Sequence, residues 1–208
     1  MRHAGRTSNM TYIIIVSILV GMGCGYFVFP PEIMSSIDNL ASISLFVLIF
    51  LVGIDVGGNK TIFKDLKKAG FKVLLVPFGG IVGSLLGGLL VGFLFNMAIN
   101  ESLAIGSGFG WYSLSGVMLK EMGGDTLGAI AFLTNVFREM ITVILIPILA
   151  KRLNGYTAIA PAGATSMDTT LPLIAKATNP EIAIISFING VILSSLVPVL
   201  VTFFYNLG

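Results

Sequence analysis

Long apolar runs separated by short polar stretches make up most of the 208-residue chain. Five of these runs reach roughly the 20 residues that an α-helix needs to cross the hydrocarbon core of a bilayer. The pattern therefore predicts an all-α protein with five membrane-spanning helices. The predicted spans are Met10–Phe29, Leu40–Val56, Phe71–Ala98, Thr126–Ala150 and Glu181–Tyr205, which together form one transmembrane domain over residues 10–208 after a disordered tail at residues 1–9.

Two further runs, Leu103–Leu119 and Ala158–Thr178, are apolar enough to enter a bilayer but too rich in Gly, Ser, Thr and Pro to cross it as unbroken helices. Non-helical backbone at membrane depth is tolerated only where protein or water satisfies it. Paired interrupted segments of this kind are the best sequence indication of a transporter's binding site. Proline residues within the predicted spans also predict local kinks, at Pro77, Pro147 and Pro198.

The positions of Lys and Arg predict the orientation, because short cytoplasmic loops carry an excess of these residues. Five lysines fall in the loop Lys60–Lys72, and Arg2 and Arg6 precede the first helix. The N-terminus is therefore expected inside. Lys151 and Arg152 also lie inside only if the first interrupted segment returns to the outer face and the second enters from the cytoplasm. This arrangement predicts two opposed re-entrant segments, as in inverted-repeat transporters, and an outside C-terminus.

Composition supports a membrane protein, because 55% of the residues are hydrophobic and only 11% are charged, against about 25% in soluble domains. A net charge of +2, with the cations in loops, gives no indication of nucleic-acid binding. Cys24 is the only cysteine and cannot form an internal disulfide. Neither a cofactor nor a metal site is predicted.

Charged residues near the middle of the fourth predicted span are the strongest functional candidates, since a charge there costs about 2.5–3.5 kcal/mol on insertion. Adjacent helical residues point roughly 100° apart, so Arg138 and Glu139 need not pair. Asn135 shares a face with Glu139, whereas Thr134 and Thr142 share one with Arg138. Glu139 is interpreted as functional. Arg138 is interpreted as structural, neutralising a carboxylate or capping the carbonyls of a broken helix.

The interrupted segments supply the remaining candidates for binding a substrate, a proton or a cation. Asp168 lies among four hydroxyl side chains that could offer oxygens to a cation or an ammonium group: Thr165, Ser166, Thr169 and Thr170. The first segment offers two hydroxyls, Ser113 and Ser115, and two aromatic rings that could stack on a cation, Trp111 and Tyr112. Supporting positions are the turn glycines Gly108, Gly110 and Gly163 and the ambiguous Asp55, which could equally be a solvated charge at a helix end.

Other classes of function remain open on residue type alone. A serine protease built on Ser113 or Ser115 lacks a base, because the only histidine is His3 in the tail. An aspartyl protease would need Asp55 and Asp168 as its two catalytic acids, but the residues around Asp55 form no convincing protease motif. The residues are also compatible with a cation-coupled transporter of another small solute, or with a structural membrane subunit in which Glu139 and Asp168 are expendable. We do not expect an enzyme.

Four motifs carry a resemblance to a known family. They are Phe50-Leu-Val-Gly-Ile-Asp-Val-Gly57, Gly108-Phe-Gly-Trp-Tyr-Ser-Leu-Ser-Gly116, Thr134-Asn-Val-Phe-Arg-Glu139 and the run from Gly163 to Pro172. Together they resemble the lysine exporter LysO family over most of Leu40–Tyr205. The resemblance implies export of L-lysine and toxic lysine analogues from the cytoplasm across the cell membrane, with the family's essential intramembrane acidic pair at Glu139 and Asp168.

The resemblance also suggests partners and a mechanism. Full-length family members have additional helices before the matched region, so a small membrane subunit or a second copy of the chain is expected to complete the transporter. Proton antiport by alternating access is the expected mechanism, in which Glu139 and Asp168 bind either the ammonium groups of lysine or protons. A half-helix N-terminus would take the α-carboxylate. The residues leave sodium open as the coupling ion.

Overall fold

The computed structural model describes residues 70–208, together with helical residues 16, 17, 19–21, 23–25, 27, 36, 43, 47 and 54. Most residues of the first two predicted spans, most of the loop Lys60–Lys72, and Asp55 lie outside the described residues. Within residues 70–208 the chain forms helices and turns and no strand. The helices are α1 (Leu75–Leu94), α2 (Ile99–Gly106), α3 (Tyr112–Gly123), α4 (Asp125–Arg152), α5 (Gly155–Ile159), α6 (Leu171–Ala177) and α7 (Pro180–Tyr205), with 3₁₀ turns at Gly70–Leu74 and Gly163–Met167.

Helices α1, α4 and α7 are long and apolar enough to cross a membrane, and among the described residues they are the helices that meet this condition. They coincide with the third, fourth and fifth predicted spans. Large apolar side chains on α1 remain exposed, such as Leu75, Phe78 and Phe93, as expected for a surface facing lipid. Pro147 and Pro198 fall inside helices. Pro77 instead lies in the first turn of α1, where proline removes no helical hydrogen bond.

The two interrupted segments are discontinuous helices, as the sequence predicts. In the first segment, residues 99–123, the eight-residue α2 and the twelve-residue α3 are separated by turns at residues 107–111, called the first tip. In the second segment, residues 155–177, the short helices α5 and α6 are separated by residues 160–170, called the second tip. Neither half of either segment approaches the 20 residues needed to span a bilayer.

The first segment enters and leaves at the same end of the bundle, where α7 finishes. The Asn100 side chain at the start of α2 donates a hydrogen bond to the Tyr205 carbonyl, 3.0 Å away. The Tyr205 hydroxyl in turn donates to the carbonyl of Met122 at the end of α3, at 2.7 Å. Both ends of the segment are therefore fastened beside the C-terminal turn of α7, and the first tip turns back inside the bundle.

The second segment enters and leaves at the opposite end, where α7 begins. A Cβ placed on Gly155, the first residue of α5, would lie 2.7 Å from Cγ1 of Ile182 in the first turn of α7. The segment ends at Ala177, only three residues before α7 starts at Pro180. The two interrupted segments thus enter the bundle from opposite ends.

Small residues allow the first segment to pack tightly on α1. A Cβ on Gly92 would overlap the Ser102 side chain, at 2.5 Å from its Cβ, and a Cβ on Gly106 would lie 3.0 Å from the Ser84 carbonyl oxygen. Lipid is as apolar as the interface between two helices, so helices in a membrane associate through close packing, which small residues allow. This packing brings the first tip to the level of Ser84, near the middle of α1.

Candidate functional site

The two tips meet in the interior of the bundle and are joined through their backbones. The Ala164 N–H of the second tip donates to the Phe109 carbonyl of the first tip, at 2.9 Å. Phe109 and Ala164 are buried, with 0% and 3% of their surface exposed. Gly163 adopts a φ of 61°, a left-handed conformation that favours glycine. Two breaks separated by about fifty residues of sequence therefore form a single structure.

The buried Asn135 of α4 holds the first tip. Its Oδ1 accepts a hydrogen bond from the Gly110 N–H at 2.7 Å. Its Nδ2 donates to the Ser115 hydroxyl at 3.2 Å and to the Ala131 carbonyl at 3.0 Å. A Cβ on Gly108 would lie 2.5 Å from Nδ2, so this close approach requires glycine. Asn135, predicted to bind substrate alongside Glu139, thus joins α4 to the first segment through its side chain.

Arg138 of α4 lies where α1 and the two tips come together. Its Nε donates to the Pro161 carbonyl at 3.1 Å, and its Nη1 donates to the Ser84 hydroxyl at 2.6 Å. Thr142, one turn further along α4, donates its hydroxyl to the same Pro161 carbonyl at 3.1 Å. Arg138 thus caps a carbonyl of the broken second segment.

Residues of α7 hold the second tip from the other side. The Ser166 hydroxyl donates to the Ser186 carbonyl at 2.9 Å, and the Ser186 hydroxyl donates back to the Ser166 carbonyl at 2.7 Å. Asn189 donates through Nδ2 to the Gly163 carbonyl at 3.1 Å and to the Ser166 hydroxyl at 2.9 Å. Ser84 and Ser186 were not among the predicted site residues. Each is a small polar residue inside an otherwise apolar spanning helix, where it needs a hydrogen-bond partner.

The two predicted acids lie close together, beside Thr169. Both Thr169 and the Asp168 carboxylate are near enough to Glu139 to interact electrostatically with its carboxylate. Asp168 Oδ1 accepts the Thr169 N–H at 2.6 Å and lies 3.4 Å from the Thr169 hydroxyl. Both acids are partly exposed and Thr169 is exposed. The second tip therefore presents a carboxylate beside the carboxylate of α4.

The other hydroxyls near Asp168 are used within the second tip. Thr165 is buried and donates to the Ala162 carbonyl at 2.8 Å, and the buried Thr170 donates to the Thr165 carbonyl at 2.9 Å. Ser166 is also buried, with its donor directed to backbone carbonyls. Of the four predicted hydroxyls, Thr169 is the one at the acid pair. The remaining three stabilise the unwound backbone.

The two aromatic and two hydroxyl residues predicted as site residues in the first segment differ in their contacts and burial. Trp111 packs against a core cluster that includes Phe109. Tyr112 forms an edge-on contact with Phe132 of α4, with ring centroids 5.4 Å apart. Ser115 is buried and donates to the Trp111 carbonyl at 2.8 Å, whereas Ser113 is exposed. The contacts described for Trp111, Tyr112 and Ser115 are thus with the core, with α4 and with the backbone of their own segment.

A cavity of ≈ 190 Å³ lies on the Arg138 side of α4. Helix α1, the first segment and α4 form its walls, and polar groups from all three line it: Ser84, Ser102, Thr134, Asn135 and Arg138. Neither Glu139 nor Asp168 lines it. Arg138 and Glu139 are adjacent in sequence, so they leave α4 in directions roughly 100° apart. The cavity and the acid pair therefore lie on different flanks of α4.

Comparisons with known proteins agree with the motifs. The sequence profile of the family described as lysine exporter LysO matches residues 15–205. Lysine exporter LysO from Escherichia coli (strain K12) is 42% identical over 163 residues, which cover 77% of this chain and 53% of that protein. A putative lysine exporter from Haemophilus influenzae is 39% identical over 162 residues, which cover 77% of this chain and 81% of that protein.

The chain thus spans about half the length of the first of these relatives. No solved structure matches it. The family profile covers most of the chain, and the motifs that surround both tips and the acid pair fall within the matched residues. The chain therefore belongs to the lysine exporter LysO family and is a multi-pass membrane protein.

Proposed function

We propose that this chain forms the transport domain of a secondary active transporter that exports L-lysine and toxic lysine analogues from the cytoplasm. Support comes from the family membership and from two relatives named as lysine exporters. The observation that carries the mechanism is the proximity of the Glu139 and Asp168 carboxylates beside Thr169. Two acids at a break in a membrane segment provide a site for an ammonium group or for protons.

Proton antiport by alternating access is the mechanism that we propose for this site. Protons would enter from outside and neutralise the acids, which releases the lysine ammonium group. Loss of those protons to the cytoplasm would restore the negative charge that binds the next lysine. Thr169 assists because its N–H and its hydroxyl both face the Asp168 carboxylate, beside Glu139.

The membrane potential gives a physical reason for coupling to a cation. Lysine has a net charge of +1, and moving one positive charge outward against an inside-negative potential costs about 2.3 kcal/mol per 100 mV. Inward movement of one proton for each lysine cancels that cost. The chemical gradient of the proton then remains available to drive export.

The proposed orientation places the end of the bundle with Lys151, Arg152 and the start of α7 in the cytoplasm. This choice follows the positive-inside rule and puts the C-terminus outside the cytoplasmic membrane. With two further spans before residue 70, the domain would have five crossings and the opposed segments of an inverted-repeat transporter. A small membrane subunit or a second copy of the chain is the proposed partner that completes it.

Transport into inside-out vesicles tests the proposal directly. Vesicles containing the wild-type chain, with any partner subunit co-expressed, are expected to accumulate labelled lysine when their interior is made acidic. Glu139→Gln and Asp168→Asn are expected to lose nearly all of this gradient-driven uptake, because each removes a charge that must alternate between proton and substrate. The matched controls are Glu121→Gln and Asp125→Asn, which make the same changes at exposed carboxylates outside the site and are expected to retain wild-type uptake.

The results that would refute the proposal are specific. If lysine uptake by wild type does not depend on the pH gradient, the proposed proton antiport is wrong. If uptake requires a sodium gradient, the coupling ion is sodium. If Glu139→Gln and Asp168→Asn export lysine as well as the controls do, the acid pair is not the transport site.

A further inference from the structure

The cavity beside Arg138 has the features of a second binding site, separate from the acid pair. Its volume of ≈ 190 Å³ exceeds what one water molecule needs. It lies between two helices able to span a membrane, and a guanidinium group forms part of its lining. Such a position is costly for a cation unless the cation is paired or serves a function.

The guanidinium keeps donors available after its structural contacts are made. Arginine carries five N–H donors in a planar fork. Arg138 directs Nε to the Pro161 carbonyl and Nη1 to the Ser84 hydroxyl, which uses two of the five. These two bonds fix the plane of the fork. The remaining N–H groups belong to Nη1 and Nη2, the pair of nitrogens with which arginine binds a carboxylate in two-point fashion.

The positive charge has no ionic partner within residues 70–208. None of the carboxylates in that range forms an ion pair with Arg138; the contacts of its head group are the Pro161 carbonyl and the Ser84 hydroxyl. Two neutral acceptors do not neutralise a partly buried cation. An anionic ligand entering the cavity would bring a negative charge to the guanidinium.

We propose that this cavity binds the α-carboxylate of the transported amino acid through Arg138. The inference depends on the proposed export of lysine and adds the group that recognises the acid end of the substrate. Arg138 contacts the second tip at Pro161, and it also approaches the first tip, where a Cβ on Gly110 would lie 3.9 Å from Arg138 Cδ. The bound carboxylate would therefore lie beside the junction of the tips.

The charges on α4 match the charges along the substrate. Arg138 and Glu139 point to different flanks of the helix, so a positive group faces one side of the tips and the acid pair faces the other. Lysine carries a carboxylate at one end and an ammonium group at the other. A full positive charge is also a stronger carboxylate ligand than the half-helix N-terminus that the sequence suggests, because the helix dipole is equivalent to only about half a charge.

Equilibrium binding with substrate analogues tests the assignment on the purified full chain in lipid nanodiscs. The probes are L-lysine and L-lysinamide, which differ only in the carboxylate. Wild type is expected to bind lysine about ten- to a hundredfold more tightly than lysinamide, the range for hydrogen bonds to a charged group. In Arg138→Gln this ratio is expected to fall close to one, through weaker binding of lysine with lysinamide unchanged.

A matched control separates carboxylate binding from the structural role of Arg138. Thr142→Val removes the other side-chain donor to the Pro161 carbonyl but leaves the guanidinium in place. It is expected to keep the wild-type ratio even if overall stability falls. Arg138→Lys, which retains the charge without the fork, is expected to keep part of the ratio.

Several outcomes would overturn the inference. Equal binding of lysine and lysinamide by wild type, while lysine export continues, would remove the carboxylate site and leave the proposed function intact. This comparison uses wild type alone and so does not depend on the folding of a variant. If the ratio of lysine affinity to lysinamide affinity falls equally in Thr142→Val and Arg138→Gln, the loss comes from a disturbed second tip and not from a missing carboxylate ligand. Failure of wild type to bind or export lysine would overturn the proposed function as well.

Discussion

Gly163 offers a quantitative test of how the two tips meet. Its φ of 61° lies in the left-handed region. A Cβ at this position would overlap the carbonyl oxygen of Phe109 and lie 3.1 Å from Nη2 of Arg138. The Phe109 carbonyl cannot withdraw without weakening the 2.9 Å hydrogen bond that it accepts from Ala164. Replacing Gly163 with alanine therefore forces a choice between backbone strain and separation of the tips.

The expected cost follows from two separable effects. A non-glycine residue in the left-handed region costs about 1–2 kcal/mol, and an extra methyl group in a well-packed contact costs about 1–3 kcal/mol. Gly163→Ala is thus expected to lower the free energy of unfolding by about 2–5 kcal/mol. Gly110→Ala isolates the first effect, because its φ is 94° but the nearest atoms to a Cβ are 3.5 Å away. Gly83→Ala is the control, since no atom of the described residues outside its own helix backbone lies within 4 Å of a Cβ on that helical residue.

Unfolding of the purified variants in mild detergent, followed by circular dichroism during titration with a denaturing detergent, measures the order of stability. We expect Gly163→Ala to be the least stable, Gly110→Ala intermediate, and Gly83→Ala equal to wild type or slightly more stable. The reasoning is refuted if Gly163→Ala unfolds at the same point as Gly83→Ala. A Gly110→Ala variant that is less stable than Gly163→Ala would show that steric contact between the tips is not the larger effect.

Two further substitutions test the attachments of the first segment. Ser115→Ala removes a buried hydroxyl that accepts a hydrogen bond from Asn135, so it is expected to lose about 1–3 kcal/mol of stability in the same titration; the exposed Ser113→Ala serves as its control and should match wild type. Tyr205→Phe removes the 2.7 Å bond to the Met122 carbonyl. Its expected effect is about 1 kcal/mol, with faster hydrogen exchange at the end of α3, and unchanged exchange there would contradict the clamp.

Within residues 70–208, the sequence by itself determined which parts are helices able to span a membrane and which are broken. The predicted runs Phe71–Ala98, Thr126–Ala150 and Glu181–Tyr205 became α1, α4 and α7 with shifts of a few residues at most ends. Both interrupted segments are discontinuous where Gly, Ser, Thr and Pro concentrate. The physical reason is that a segment crosses a bilayer only as a long apolar helix whose backbone hydrogen bonds are made within the segment. This property depends on consecutive residues and can therefore be recognised in the sequence.

Tertiary structure alone decided which polar side chains form the candidate site and which hold the scaffold. Asn135 bonds to Gly110, 25 residues away, while Thr165 and Thr170 use their hydroxyls on nearby carbonyls. Helical spacing gives the face on which a residue lies, not the segment that packs against that face. A broken segment must satisfy its freed backbone groups inside the bundle, and those groups take most of the buried polar side chains around the tips. Only the folded chain shows that Thr169, of the four predicted hydroxyls, lies at the acid pair.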